Sequence, residues 1–183
     1  MSEILKKDSE CSQKMLIPED KRFLRSILSL ISHSCDSWYW LAGLILVWLF
    51  NQGTVRQTAV FMAFCMVLLA VIVLGIKFVI KRPRPEGEFG QVYRETDPHS
   101  FPSGHAARAM AIAVIVTTFG KPWLSLLVFL WAFLVGYSRI ALALHYLSDV
   151  LVGWLIGVLS GLLAIWAFPY FLNLLESYFP FVL

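Results

Sequence analysis

Charge is scarce in this chain: Asp, Glu, Lys and Arg make up 15% of its 183 residues, against about 25% in an ordinary soluble domain. That deficit excludes a molecule wetted on all sides, and with a net charge of only +3 no nucleic-acid partner is expected. Cysteine is scarce as well. Cys11, Cys35 and Cys65 stand apart, without a Cys-x-x-Cys pair or a neighbouring His, so they indicate neither a zinc site nor a disulfide framework and read as inert. The N-terminus is polar and charged, unlike the short basic stretch and apolar core of a signal peptide. Apolar residues fill the space instead, at 58% of the chain, in recurring runs that reach the roughly 20 residues needed to cross about 30 Å of hydrocarbon.

Those runs predict an all-α fold, a polytopic transmembrane helix bundle. Residues 1–18 are of mixed charge and are expected to be disordered, leaving 19–183 as a single transmembrane domain. Between Asp20 and Ser34, Phe23, Leu24, Ile27, Leu28 and Ile31 fall on one helical face and Arg22, Arg25, Ser26, Ser29 and Ser32 on the other. This amphipathic helix would lie in the membrane interface or pack against the bundle. Five spans follow, over about residues 38–50, 56–80, 103–119, 122–144 and 145–168, making six helices if the amphipathic segment is counted. Pro83 and Pro85 end the second span and push Arg82 and Arg84 toward extended conformations. Gly153, Gly157 and Gly161 recur every four residues, a spacing that lets membrane helices approach closely. The tail from Pro169 to Leu183 reads as an interfacial cap.

Alternating crossings bring the polar residues together. The end of span two, the start of span three, the end of span four and the start of span five share one membrane face. That face collects Lys77, Arg84, Ser103, Gly104, His105, Arg139, His145 and Asp149. Each charge in a span costs at least about 2.5 to 3.5 kcal/mol, so the collection implies a polar cavity or ligand. One ammonium and two guanidiniums suit a tetrahedral oxyanion such as phosphate. Ser103 reads as a helix N-cap, and Gly104 would let backbone N–H groups approach the same oxygens. His145 and Asp149, four residues apart, would share a helical face, so that the carboxylate holds one ring nitrogen as a donor. The other nitrogen then keeps a free lone pair, as a nucleophile or base requires. Arg108, one turn beyond His105, reads either as a second phosphate contact or as a snorkelling side chain. Lys81 and Arg82 read as snorkelling or anion-steering groups, His99 as solvated, His33 as interfacial, and Glu86, Glu88, Glu95 and Asp97 as residues that keep a loop wet.

Three signatures, Lys77-x6-Arg84-Pro85, Pro102-Ser103-Gly104-His105 and Ser138-Arg139-x5-His145-x3-Asp149, together resemble the type 2 phosphatidic acid phosphatase superfamily, without a gap. The resemblance implies a metal-independent integral membrane lipid phosphatase with no cofactor, and the acidic residues here suggest no ligand cluster. It implies His145 as the nucleophile of a phosphohistidine, Asp149 orienting it, and His105 as general acid. Lys77, Arg84, Ser103, Gly104 and Arg139 would hold the phosphoryl group; Arg108, Lys81 and Arg82 lie outside the three signatures' fixed positions and, read from their place in the chain alone, are secondary to them. Phosphatidate, phosphatidylglycerophosphate, a polyisoprenyl diphosphate and a phosphorylated glycolipid all fit as substrates. Two other functions fit the same residues: phosphotransfer to a lipid or sugar hydroxyl, and non-catalytic transport of a lipid phosphate. The resemblance further implies the cell (inner) membrane, with the site on its extracytoplasmic face.

Overall fold

A computed structural model describes residues 3–87 and 95–179. Its helices are α1 (Glu3–Gln13), α2 (Arg22–His33), α3 (Ser37–Phe50), α4 (Gly53–Ile80), α5 (Gly104–Phe119), α6 (Pro122–Ala141) and α7 (Leu147–Tyr178). No strand occurs among the described residues, where an isolated bridge between Pro83 and His99 is the nearest approach. Three helices, α4, α6 and α7, are each long and apolar enough to cross a membrane. The apolar α3 and α5 are shorter, at 14 and 16 residues, or about 21 and 24 Å of helix.

The shortness of α5 follows from its place at the centre. Ala106, Ala107, Ala109 and the whole run from Met110 to Ile115 are buried, so this helix is enclosed by protein. Small residues allow that enclosure. A Cβ added to Gly153, Gly157 or Gly161 of α7 would lie 2.7 Å from the Ser103 carbonyl, 2.4 Å from the Ala107 carbonyl or 2.7 Å from Val114 Cβ. The expected close approach is therefore met, and its partner is α5. On α4, Leu69 and Val73 pack against Ala107 and Ala111, while Trp40 of α3 lies 5.5 Å from Trp131 of α6 between ring centroids. The outer faces carry Leu46, Val67, Val71, Leu126, Leu155 and Leu159, all exposed. An apolar surface of this extent around a helical bundle is a lipid-facing surface, and the protein is integral to a membrane.

The structure departs from the sequence-based expectation at three places. Residues 3–13, expected to be disordered, form α1, because Asp8 and Ser12 are bonded to the start of α7. The fourth span stops at Ala141, not at Leu144, and residues 142–146 form a turn in which Ala143 is left-handed at φ 55°. The amide groups of Leu144 and His145 both donate to the Arg139 carbonyl, at 2.9 and 3.0 Å, and so close that turn. In the last helix, Pro169 does not end the span. Phe168 and Phe171, on either side of it, stack on Phe61 at 4.9 and 5.1 Å, and this packing carries α7 on to Tyr178, where an interfacial cap was expected. The amphipathic helix, by contrast, packs on the bundle as one of its two readings expected: α2 lies across one end of it, with the Ile17 amide donating to the Ala141 carbonyl just before the helix and Ser32 near its end meeting Arg139. Both ends of the 12-residue helix thus sit near one end of α6, as an interfacial helix packed on the bundle requires.

Gly157→Ala should lower the thermal unfolding temperature in detergent by an amount equivalent to about 1–3 kcal/mol, because a backbone carbonyl blocks the added methyl. Gly43→Ala, inside α3 with nothing within 4 Å of the new atom, should not lower it and should raise it slightly, since Ala favours a helix over Gly by up to about 1 kcal/mol.

Candidate active site

Backbone ties bring the functional segments to one end of the bundle. After Pro83 and Pro85 the chain returns beside itself: the Ser100 amide donates to the Arg82 carbonyl at 2.8 Å and the Ser100 hydroxyl to the Pro83 carbonyl at 3.1 Å. The Ser103 amide reaches the Asp149 carbonyl at 2.9 Å, while the Ser103 hydroxyl accepts the Ala106 amide at 3.4 Å as the N-cap of α5. Between these ends lies a cavity of about 240 Å³ whose polar lining is Ser37, Lys77, Arg84, Asp97, His105, Arg108, Arg139 and His145, with Gly104 at its edge. The structure thus gathers the anion-binding residues expected from the three motifs, except Ser103. That side chain is buried in its capping role. Lys81, the left-handed C-cap of α4, and Arg82 also lie outside the described lining.

His145 sits in the turn before α7, not on a helix with Asp149. Its Nε2 lies 3.1 Å from Arg84 Nη1, and its Nδ1 lies 3.5 Å from Asp149 Oδ2. A guanidinium has only hydrogens to offer, so Nε2 must accept and the ring hydrogen must reside on Nδ1. The expected tautomer is therefore present, but Arg84 sets it. Nδ1 is buried without a hydrogen-bond partner, at ion-pair distance from the carboxylate, a separation of the kind that closes when substrate binds. Burial, followed by the charges of Arg139, Arg84 and Lys77, pushes the His145 imidazolium well below its ordinary range and keeps the ring neutral.

Asp149 reaches His145 because it turns back along its own helix. As the third residue of α7 it accepts the Tyr146 amide on Oδ2 at 2.9 Å, which draws the carboxylate toward the turn. Its Oδ1 accepts from Arg82 Nη1 at 2.8 Å. Arg82 is consequently a hub and not a snorkelling group: it also donates to Ser148 Oγ at 2.7 Å and Asp8 Oδ2 at 2.6 Å, and lies over the Tyr146 ring at 4.0 Å. From α1, Asp8 and Ser12 accept the Ser148 and Leu147 amides at 3.0 and 2.8 Å, satisfying donors that a helix start leaves open. Burial pushes the Asp8 carboxyl up, but hydrogen bonds from Ser148 and Arg82 outweigh it and hold the group below its ordinary value.

The second imidazole has a carboxylate of its own. His105 Nε2 lies 2.6 Å from Asp36 Oδ1, and His33 Nδ1, expected to be merely interfacial, lies 2.9 Å from Asp36 Oδ2. Burial works against ionisation of Asp36, but the hydrogen bonds to His105 and His33 prevail and bring its carboxyl down to about 2. Arg108 lines the cavity and donates to the Cys35 carbonyl at 2.5 Å, and Arg139 Nη1 donates to Ser32 Oγ at 2.7 Å. Asp97, expected only to keep a loop wet, instead pairs with both Lys77 and Arg84, the latter at 2.7 Å. Glu88 lies outside the described residues. No short sequence pattern marks Asp8, Asp36 or Asp97, since each finds its partner across 13 to 74 positions of the chain.

A sequence profile described as the PAP2 superfamily matches residues 58–172. The chain belongs to the PAP2 superfamily. Among its relatives, a lipid A 4'-phosphatase of Bacteroides thetaiotaomicron is 44% identical over 62 residues, covering 33% of this chain and 28% of that protein. An undecaprenyl-diphosphatase of Sulfolobus acidocaldarius is 28% identical over 138 residues, or 73% of this chain and 66% of that protein. The chain thus matches less than two thirds of the length of either curated relative. The crystal structure of a PAP2-type phosphatidylglycerolphosphate phosphatase from Bacillus subtilis has a similar fold, with a TM-score of 0.74 and 24% identity over 90% of this chain and 85% of that one. Helices α1 to α3 precede the segment matched by the PAP2 profile, so Asp8, Ser32 and Asp36 reach the motif residues from outside it.

¹⁵N NMR of labelled histidines at pH 6.5 should find His145 neutral, with its hydrogen on Nδ1. Arg84→Met should release Nε2 and give a mixture of tautomers.

Proposed function

We propose that the protein hydrolyses a lipid phosphomonoester or diphosphate through a phosphohistidine. The observation that carries this reading is the acceptor nitrogen of His145, turned toward Arg84 at the wall of a cavity lined by buried cations and a second imidazole. The Nε2 lone pair attacks phosphorus in line as the bond from phosphorus to the leaving oxygen breaks. His105 delivers a proton to that oxygen, the lipid alcohol or the terminal phosphate. Arg84 moves from Nε2 to the phosphoryl oxygens, where Lys77, Arg139 and the Gly104 amide also bear, and Arg108 stands at the cavity edge. Ser103 serves through its cap, which holds Gly104 in place. Asp149 stabilises the positive charge that develops on the imidazole when Nε2 is phosphorylated. Water then attacks phosphorus, His105 takes its proton, the P–N bond breaks with its electron pair returning to Nε2, and orthophosphate leaves.

A second, apolar cleft of about 220 Å³ between α4, α5 and α7 shares Leu69 and Arg108 with the anion cavity. It supports a substrate whose hydrocarbon chain stays in the bilayer, and the names of the relatives, lipid A 4'-phosphatase and undecaprenyl-diphosphatase, support the same class. We place the site on the extracytoplasmic face of the cell (inner) membrane and treat residues 19–183 as one catalytic domain, to which α1 is docked.

A phosphate-release panel across lipid phosphates, using purified protein, should show activity that survives chelator. His145→Ala should cost about 10³-fold or more, and His105→Ala about 10²–10⁴-fold on lipid substrates. The His105→Ala loss should shrink sharply on p-nitrophenyl phosphate, whose leaving group needs no proton, and loss of all activity with chelator would overturn the scheme. Native Cys11 reports sidedness, because it is exposed on α1, which docks at the site end. In intact cells, a membrane-impermeant maleimide should label a variant that keeps only Cys11, and labelling only after permeabilisation would put the site on the cytoplasmic face.

A further inference from the structure

Asp36 is the residue before α3, a position where an aspartate ordinarily accepts the open amides of the first helical turn. Among the described residues its side chain caps nothing. Both oxygens turn the other way, Oδ1 to His105 Nε2 at 2.6 Å and Oδ2 to His33 Nδ1 at 2.9 Å. A capping bond has been given up for two imidazoles. Holding the chain together does not explain that choice, because other groups tie down the turn from α2 to α3. Arg108 donates to the Cys35 carbonyl at 2.5 Å and the Cys35 thiol to the His105 carbonyl at 3.5 Å. The indoles of Trp131 and Trp40 donate to the Ser34 hydroxyl and carbonyl at 2.8 and 3.0 Å. Within the turn, the Asp36 amide donates to the His33 carbonyl at 2.9 Å and keeps His33 beside it. With Oδ2 engaged by His33, Oδ1 is aimed at His105.

An ionised carboxylate can only accept, so His105 Nε2 carries a hydrogen. His105 lines the anion cavity and Asp36 does not, so Nε2 points away from the cavity and the other ring nitrogen, Nδ1, is left to serve it. The same cavity holds Lys77 from α4, Arg108 from α5, Arg139 from α6, Arg84 from the connection after α4 and the neutral His145, with Asp97 as the acid on its wall. A doubly protonated His105 adds one more positive charge to that company, and Asp36 is the carboxylate bonded to it. We propose that Asp36 is the positioning residue for His105: it keeps Nε2 as a donor and offsets the imidazolium, so that Nδ1 exchanges the proton. This rests on the reading of His105 as the acid and base of a phosphoryl transfer. In the first step the Nδ1–H bond breaks, its electron pair stays on Nδ1, and the proton forms an O–H bond on the leaving oxygen. His105 is left neutral, with its hydrogen on Nε2 still bonded to Asp36. In the second step the Nδ1 lone pair takes a proton from the attacking water and the imidazolium returns. The two catalytic rings thus use opposite nitrogens, Nε2 in His145 and Nδ1 in His105, each with a carboxylate at its other side.

Asp36→Ser separates this role from a structural one, since serine caps a helix as well as aspartate but is shorter and uncharged. Its melting temperature in detergent should match the wild type. Its kcat/KM on a lipid phosphate should fall about tenfold or more, and far less on p-nitrophenyl phosphate, whose leaving group needs no proton. In a His105→Ala background the same substitution should change kcat/KM on the lipid by less than about twofold, because the two residues act as one unit. If the Ser variant fails to fold, Asp36→Asn keeps the shape and carries the same comparison. An equal loss on both substrates would overturn the proposal, as would a full further loss in the His105→Ala background. A second readout needs no turnover. At about pH 9, where ordinary imidazoles are neutral, NMR of ¹⁵N-labelled histidines should show His105 with a low-field proton on Nε2 that disappears in Asp36→Ser. A wild-type His105 without that proton overturns the proposal whatever the activity. A protein that shows it yet releases no phosphate from any substrate would sink the hydrolase reading and leave the Asp36–His105 pair standing.

Discussion

The structure depends on keeping several cations out of water at one end of a membrane bundle. Lys77, Arg84 and Arg139 are each 5% exposed or less. A buried charge of this kind persists only where partners replace its hydration. Here the partners are drawn from α1, α2, α7 and two connecting segments: Asp97 for Lys77 and Arg84, Asp149 and Asp8 for Arg82, Ser32 for Arg139, and the Leu144 carbonyl for Arg84 at 2.8 Å. The architecture and the site are consequently one construction. The bonds that hold α1, α2 and the polar turns on the bundle are the bonds that aim the cavity side chains.

Close helix contact makes this geometry repeatable. The glycines of α7 let its backbone reach α5, and the first of them, Gly153, faces the Ser103 carbonyl. One step away, the Ser103 amide is bonded to the Asp149 carbonyl. Helix spacing set by missing side chains thus passes straight into the alignment of the residue that caps α5 with the residue that faces His145. Along the rest of the bundle, exposed leucines and valines face lipid and need no partner on the protein itself.

Electrostatics at this boundary serve two ends with the same groups. The positive charges that would attract a phosphate also keep His145 neutral, since each disfavours a second proton on the ring. Arg84 goes further and holds the hydrogen on the nitrogen that faces Asp149, leaving Nε2 with its lone pair toward the cavity. Preorganised charge of this kind acts without rearrangement at the moment of reaction, and its effect is larger beside hydrocarbon than in water.

Much of this was legible in the residues alone. Hydropathy and breakers placed the starts of the five apolar helices to within about three positions, because these are local properties of a chain in lipid. Alternating direction was enough to bring the three motifs to one face, and Ser103 could be read as a cap from its place before Gly104 and His105. What the sequence could not reveal was which acid meets which base. Asp8, Asp36 and Asp97 look like ordinary polar residues in a tail, a turn and a loop, yet each holds a group from a distant segment. The end of α6 at Ala141 and the run of α7 through Pro169 were likewise decided by contacts, with the Arg139 carbonyl and with Phe61. Local composition determines where a chain may enter the membrane. The pairing of buried charges is a property of three-dimensional proximity, and only the folded bundle can specify it.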